Sequence, residues 1–367
     1  MQYRILAINL GSTSSKIAVY YNLNEQFKTT IIHTKSELSQ FYSIWEQKDF
    51  RKEKIISTLE EKNAKLETFD IIACRGGCLK PIPGGVYLVD EGMLEDLRSE
   101  KFGSHPSNVG SFIAYELGKS LGIKVVTADP PTIDEFCKYA RYSGIKEISR
   151  VSSFHALNQK RTAKKIAKKF SKEYEDLNLI VVHLGGGISV AAHEKGRVID
   201  VNNALDGDGP FACERSGTLP VGDLIKMCYS GKYTEEEMIK KIKGNGGLMS
   251  YLKTNSGLEV EDRIKNGDSY AKEIFETMAY QVSKEIGANV AVLKGKVDAI
   301  VLTGSLAHSQ NLVNWIQERT NFIAPIYLSP GENEMLSLAE NAYYYITGEE
   351  KAKVYKDTES EGVYIYA

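Results

Sequence analysis

The sequence predicts a two-domain α/β protein made by duplication, and three observations lead there. The chain has 367 residues, which at about 150 residues per domain suggests two domains. A strand–turn–strand pattern occurs twice. Ile5-Leu6-Ala7-Ile8 leads through Gly11-Ser12-Thr13-Ser14-Ser15 to a returning run at 17–20, and Leu179-Ile180-Val181-Val182 leads through His183-Leu184-Gly185-Gly186-Gly187 to 188–191. Asn9 and His183 stand at the same place in the two hairpins. A second pair follows in the same order: Asp70-Ile71-Ile72-Ala73-Cys74-Arg75-Gly76-Gly77 resembles Asp298-Ala299-Ile300-Val301-Leu302-Thr303-Gly304-Ser305. Each is a short apolar strand running into a Gly turn.

Between the strands lie helices. Ile274, Met278, Val282 and Ile286 recur every fourth residue, which predicts a helix over about 268–294 with Asp268 as its N-cap. Residues 156–170 are also helical in pattern, with Lys164, Lys165, Lys168 and Lys169 as a solvated face. The tail from Gly348 is polar until Val363-Tyr364-Ile365-Tyr366 and is expected to pack back on the first domain. With no low-complexity linker, the boundary is expected in a loop near Arg150. The first domain is then residues 1–150 with about 345–367, and the second is 151–344.

Composition excludes several classes. Hydrophobic residues make up 42% and charged residues 26%, as in folded proteins. A net charge of -2 argues against a nucleic-acid partner, whose phosphates need a basic surplus. Cys74, Cys78, Cys137, Cys213 and Cys228 are odd in number and lack metal-site spacing, so free thiols are expected. The apolar run 5–8 is too short for a signal peptide, and no stretch approaches the roughly 20 apolar residues of a spanning helix. A cytoplasmic protein without a membrane partner is expected.

Candidate chemistry lies at the strand ends. Asn9-Leu10-Gly11-Ser12-Thr13-Ser14-Ser15-Lys16 offers backbone N–H groups, hydroxyls and a cation that suit phosphate oxygens, although no P-loop pattern is present. An ordinary polar hairpin is the alternative. Gly185, Gly186 and Gly187 imply a close backbone approach, to a phosphate or to another strand. Gly304-Ser305 suits a nucleotide only in combination with these. Arg75 and Arg215 match carboxylate or phosphoryl oxygens, or serve in structural ion pairs. Asp206 and Asp208 are metal candidates or simply turn residues. His155 precedes a helix and suits a transferring phosphoryl group, or is merely packed. Asp129, fixed by Pro130-Pro131, and Glu334, at a helix start, are candidates for Mg²⁺; a first-turn glutamate also complements the helix dipole.

Three Gly turns after apolar strands, two of them in repeated hairpins, resemble the phosphate loops of actin-like ATPases, in which ATP lies in the cleft between two related domains. The segments at 9–16, 75–85, 154–159, 183–187, 203–211 and 214–217 together resemble the acetate/propionate/butyrate kinase (acetokinase) family over nearly the whole chain. The resemblance implies the acetate and sugar kinase/Hsp70/actin fold. It also implies reversible phosphoryl transfer between ATP and a short-chain carboxylate, giving ADP and an acyl phosphate, in at least a homodimer. Matched by position, Asn9, Ser12, Ser14 and Lys16 form one phosphate loop, and His183 with Gly185, Gly186 and Gly187 the other. Arg75, His155 and Arg215 hold the carboxylate and the phosphoryl group in flight. Asp129 and Glu334 serve Mg²⁺ and catalysis, and Gly304 and Ser305 the nucleotide.

Two departures from the family pattern stand out. Gly76-Gly77 follow Arg75 where acetate kinases carry bulkier apolar residues, which suggests room for butyrate, isobutyrate or a similar acid. Ser256 and Leu258 stand where related enzymes carry an acidic residue and an arginine near the base. Rival readings are a kinase of another acceptor (acetate, propionate or a sugar hydroxyl) and a nucleotide-binding protein without turnover.

Overall fold

The apolar runs followed by Gly or polar turns become strands buried on both faces. The computed structural model describes residues 2–356 and divides into two units, residues 2–134 with 333–356, and residues 135–332.

The first unit carries β1 (Arg4–Leu10), β2 (Ser14–Tyr21), β3 (Asn24–Ile32), β4 (Ile71–Cys74), β5 (Val86–Leu88) and β6 (Lys124–Ala128). They form one sheet in the order β3-β2-β1-β4-β6-β5. β1, β4 and β6 run parallel, and β2 and β5 pair antiparallel to their neighbours. The second unit carries β7 (Asn178–Leu184), β8 (Ile188–Glu194), β9 (Arg197–Val201), β10 (Ala299–Gly304) and β11 (Ile326–Pro330), in the order β11-β10-β7-β8-β9. Matched strand for strand, β9-β8-β7-β10-β11 repeats β3-β2-β1-β4-β6, parallel and antiparallel pairs included.

The repeat extends to single bonds. Asp70 donates its N–H to Arg4 O (2.9 Å) and accepts the Arg4 N–H on Oδ2 (2.6 Å). Asp298 does the same to Asn178, at 2.8 Å in each direction. In both hairpins the matched leucines, Leu10 and Leu184, close the ladder, so Asn9 and His183 are equivalent and the second turn is one residue shorter.

Each unit has its own core. Ile8, Leu59, Ile113 and Tyr355 belong to the first, and Val182, Phe275, Ile286 and Leu302 to the second. The expected long helix is Ser269–Val292, capped by the Asp268 side chain accepting the Ala271 N–H, and the other is Ala156–Lys169. All five cysteines are free thiols. Among the described residues no helix is long and apolar enough to cross a membrane.

The unit boundaries differ from the expected ones. The first lies at 134/135 rather than near Arg150. Cys137 N–H donates to Ile199 O (2.9 Å), Glu135 accepts from Val198 N (2.8 Å), and Arg150 pairs with Asp200 (2.8 Å), so this segment is bonded into the second unit. The chain returns at 333 rather than about 345, because the helix Glu334–Thr347 packs on β1 and β4 and buries residues such as Met335 and Leu338. The described tail also packs here: Tyr355 is buried and donates its hydroxyl to Asp96 (2.8 Å), and Lys353 N bonds Val86 O (2.8 Å). Val363-Tyr364-Ile365-Tyr366 lie outside the described residues.

Candidate active site

In the first unit the candidate residues gather at the carboxyl ends of the parallel strands, where open α/β sheets bind ligands. Asn9, near the end of β1, is buried, and its amide donates to Glu334 Oε2 (2.8 Å). Arg75 follows β4, where its N–H continues the ladder to Ile8 O (3.0 Å), and its guanidinium ion-pairs with Glu334 Oε1. Asn9, Arg75 and Glu334 therefore form one bonded group. Each Glu334 oxygen accepts one of these bonds, and the carboxylate keeps further lone pairs.

Asp129 follows β6 and is 4% exposed. It accepts the Gly85 N–H on Oδ1 (2.8 Å) while its own N–H donates to Gly85 O (3.2 Å). Its φ of +41° puts a non-glycine residue in the left-handed region, where about 1–3 kcal/mol of strain is held by the surroundings. Such strain concentrates at functional sites.

The hairpin turn is closed by Gly11 N–H donating to Ser14 O (2.8 Å), with Ser12 exposed. Lys16 is exposed on β2, in register with Asn9. His105, absent from the sequence reading, caps the helix Pro106–Leu121 by accepting the Ser107 N–H on Nδ1 (3.1 Å). Partial burial of the ring, and then the positive charge of Arg75, hold it below the usual histidine range. A His-Pro pair at a helix start was the signal available.

Gly76 and Gly77 do not open a space for an acyl chain. A Cβ on Gly76 would lie 2.9 Å from Pro130 Cβ and Thr127 Oγ1, and one on Gly77 would collide with Asn108 and Leu97. The glycines let this chain pack against itself, and the expected vacancy is filled by protein.

In the second unit His183 is the last residue but one of β7 and the Gly185–Gly187 turn follows the strand, closed by Gly185 N–H to Gly187 O (3.1 Å). His183 is 1% exposed. Its Nδ1 lies 2.9 Å from Asn158 Oδ1 and its Nε2 2.9 Å from Glu332 Oε1. The His155 ring stacks on it at 3.7 Å between centroids and 6° between planes, with His155 Nδ1 2.9 Å from Ser189 Oγ.

Arg215 donates to Ala204 O (2.6 Å) and lies against Gly187, where any Cβ would overlap its guanidinium. Burial lowers its pKa, partly offset by Glu214. Gly304, at φ +89°, lies so close to the Leu184 backbone that no side chain fits, and Ser305 follows it. These packing demands account for Gly187 and Gly304. Asp208 accepts N–H bonds from Asn203 (3.0 Å) and Gly209 (2.9 Å), and Asp206 pairs with Lys243 (2.9 Å), both as turn residues. Ser256 caps the helix Gly257–Lys265, and Leu258 is exposed. Among the described residues no group of three or more His, Cys, Asp or Glu side chains could hold a metal ion.

A family model described as the acetokinase family matches residues 138–328. Butyrate kinase 2 of Clostridium acetobutylicum is 49% identical over 356 residues, covering 97% of this chain and 100% of that protein. A probable butyrate kinase of Clostridium botulinum is 50% identical over 355 residues, again covering 97% and 100%. The chain belongs to the acetokinase family. As a fold, this acetokinase is similar to the acetate kinase of Porphyromonas gingivalis, with a TM-score of 0.75 at 17% identity over 93% of this chain and 99% of that one. A ROK family protein of Streptococcus pneumoniae is more distant, with a TM-score of 0.50 at 12% identity over 94% and 99%. With the repeated sheet order, these establish the duplicated actin-like α/β fold for this acetokinase.

Proposed function

We propose that this acetokinase transfers a phosphoryl group reversibly between ATP and butyrate, or a similar short straight or branched acid, giving ADP and an acyl phosphate. One observation carries the reading: about half of all residues match proteins named as butyrate kinases, over 97% of this chain.

The chemistry follows from charge. A short carboxylic acid is ionised at neutral pH, with a pKa of about 4, so no general base is needed to make the nucleophile. The obstacle is bringing that anion to an anionic phosphate. Arg75, Arg215 and His155 are assigned to neutralise the charge, and positioning supplies the rest. Arg75 already holds one carboxylate, that of Glu334, which supports its fitness for another.

The residues suit ATP. The Ser12 and Thr13 N–H groups have no acceptor among the described residues, and the Gly185–Gly187 backbone carries no side chains. Asn9, Ser12, Ser14 and Lys16 are assigned to phosphate oxygens, as are His183, Gly185, Gly186 and Gly187, with Gly304 and Ser305 on the nucleotide. Mg²⁺ takes oxygen ligands and is commonly held by one or two carboxylates plus phosphates and water. That suits Asp129 and Glu334 without a three-ligand cluster, Glu334 also holding Arg75 and Asn9. When bound, the ion would neutralise charge on the phosphate oxygens. The working form is a homodimer or larger homo-oligomer, which light scattering tests directly.

The deciding experiment offers straight and branched carboxylates with ATP and Mg²⁺ and traps acyl phosphate with hydroxylamine. Hydroxamate is expected with butyrate and its branched homologues. Equal specificity constants for acetate and butyrate overturn the chain-length preference. ADP formation with sugars alone overturns the carboxylate reading.

A further inference from the structure

A buried cation lies beneath the turn of the first hairpin. In the helix Lys48–Glu61 the inward positions are Arg51, Ile55 and Leu59, and Arg51 is 0% exposed. A guanidinium there must satisfy five N–H donors. It does so with uncharged oxygens. Nη1 donates to Gly11 O (3.0 Å) and Ser14 O (3.2 Å), Nη2 to Ser12 O (2.8 Å), and Nη2 and Nε to Gln47 Oε1 (2.9 and 3.0 Å). Among the described residues no carboxylate pairs with it, and burial alone pulls its pKa down. His33 beside it, 2.8 Å from Ser15 Oγ, is held below the usual histidine range by burial and then by the Arg51 charge. The guanidinium is therefore the charge beneath the turn.

The bonds also set the direction of the peptides. The carbonyls of Gly11, Ser12 and Ser14 point to Arg51, and that of Thr13 accepts the His33 N–H (2.9 Å). Among the described residues the N–H groups of Ser12 and Thr13 meet no acceptor, and both residues are exposed. Successive N–H groups presented this way make an anion-binding concavity.

We propose that Arg51 is a positioning residue for the phosphate chain of the nucleotide: it draws the hairpin carbonyls inward and leaves beneath the turn a positive charge whose counter-ion is the incoming phosphate. It touches no substrate. The assignment rests on ATP as phosphoryl donor, but it concerns binding rather than turnover.

The test measures binding of ATP, tripolyphosphate and adenosine by calorimetry, and thermal unfolding without ligand, for the wild type, Arg51→Lys, Arg51→Met and Gln47→Met. Gln47→Met keeps the charge, removes the side-chain acceptor that orients it, and covers the case in which Arg51→Met does not fold. Arg51→Met is expected to weaken ATP and tripolyphosphate by about tenfold or more, with adenosine unchanged. Arg51→Lys and Gln47→Met are expected to fall between it and the wild type. A purely structural role would lower the unfolding temperature while leaving the affinity ratio of ATP to adenosine untouched, and that result overturns the inference. Arg51-dependent ATP binding in a chain that phosphorylates no carboxylate overturns the functional reading alone. Carboxylate turnover with phosphate affinity indifferent to both residues overturns the Arg51 assignment alone.

Discussion

Arg75 and Glu334, 259 residues apart in sequence, form an ion pair whose carboxylate also receives the Asn9 amide at 2.8 Å. The guanidinium assigned to the substrate is thus aimed by a carboxylate of the protein itself. Arg75→Ala is expected to lower kcat/KM for the acid by about a hundredfold or more while circular dichroism stays native, because both side chains are partly exposed. Glu334→Gln keeps an acceptor for Asn9 and weakens the hold on Arg75, so it should lose less. A folded Arg75→Ala enzyme with near-normal turnover removes Arg75 from the mechanism.

Within the second unit, Gly187 makes room for Arg215. A methyl group there would occupy the position of the Arg215 guanidinium. Gly187→Ala is expected to lower kcat by about tenfold or more, with an overpacking cost of about 1–3 kcal/mol. The variant carrying both Gly187→Ala and Arg215→Ala should be no slower than Arg215→Ala alone, since the effects share one cause. Additive losses in that cycle would separate the two residues.

Stability has its own sensitive point. Lys160 and Glu135 form an ion pair with side chains 6% and 5% exposed, at 2.7 Å. Lys160→Met takes the buried Lys160 ammonium away from that carboxylate, and breaking a buried pair in this way should cost about 3–5 kcal/mol. Adding Glu135→Leu should recover part of that loss, despite the Val198 N–H left without its acceptor. Denaturant unfolding checks both, and an unaltered midpoint in Lys160→Met contradicts the assignment.

A pH dependence follows from Glu285. Burial, and then the nearby Asp208 charge, push its carboxyl from 4.5 to about 7, against the pull of Arg150. Between those values the folded protein binds the proton that the unfolded chain has released, so its stabilising contribution is complete below about 4.5 and is lost as pH rises through 7. Glu285→Gln should therefore raise the melting temperature relative to wild type more at pH 8 than at pH 5. An equal shift at both pH values contradicts it.

What the sequence made legible was the set of strand ends. Asn9, Arg75, His183 and Gly304 each follow an apolar run, and such runs are readable because burial on both faces leaves no polar interruption. Residues 24–62 were not legible. β3 is largely exposed or half-buried along its length, and the inward face of the helix Lys48–Glu61 begins with Arg51, a residue type that periodicity assigns to solvent. The Lys160–Glu135 pair escaped notice for the same reason. Gly76-Gly77 mislead for a different reason: a missing side chain in the sequence does not mean empty space, and Pro130, Thr127, Asn108 and Leu97 fill it. The boundary near Arg150 failed because the bonds of Glu135 and Cys137 to β9 have no local signature.

The matching aspartate latches, Asp70 on Arg4 and Asp298 on Asn178, divide each sheet into a fixed end and a variable one. In both units one aspartate side chain satisfies the first peptide groups of the central strand pair, so the amino ends of the two sheets are built alike. The opposite ends carry different side chains, an asparagine in one unit and a histidine in the other, and it is there that two sheets of one plan are free to differ in chemistry.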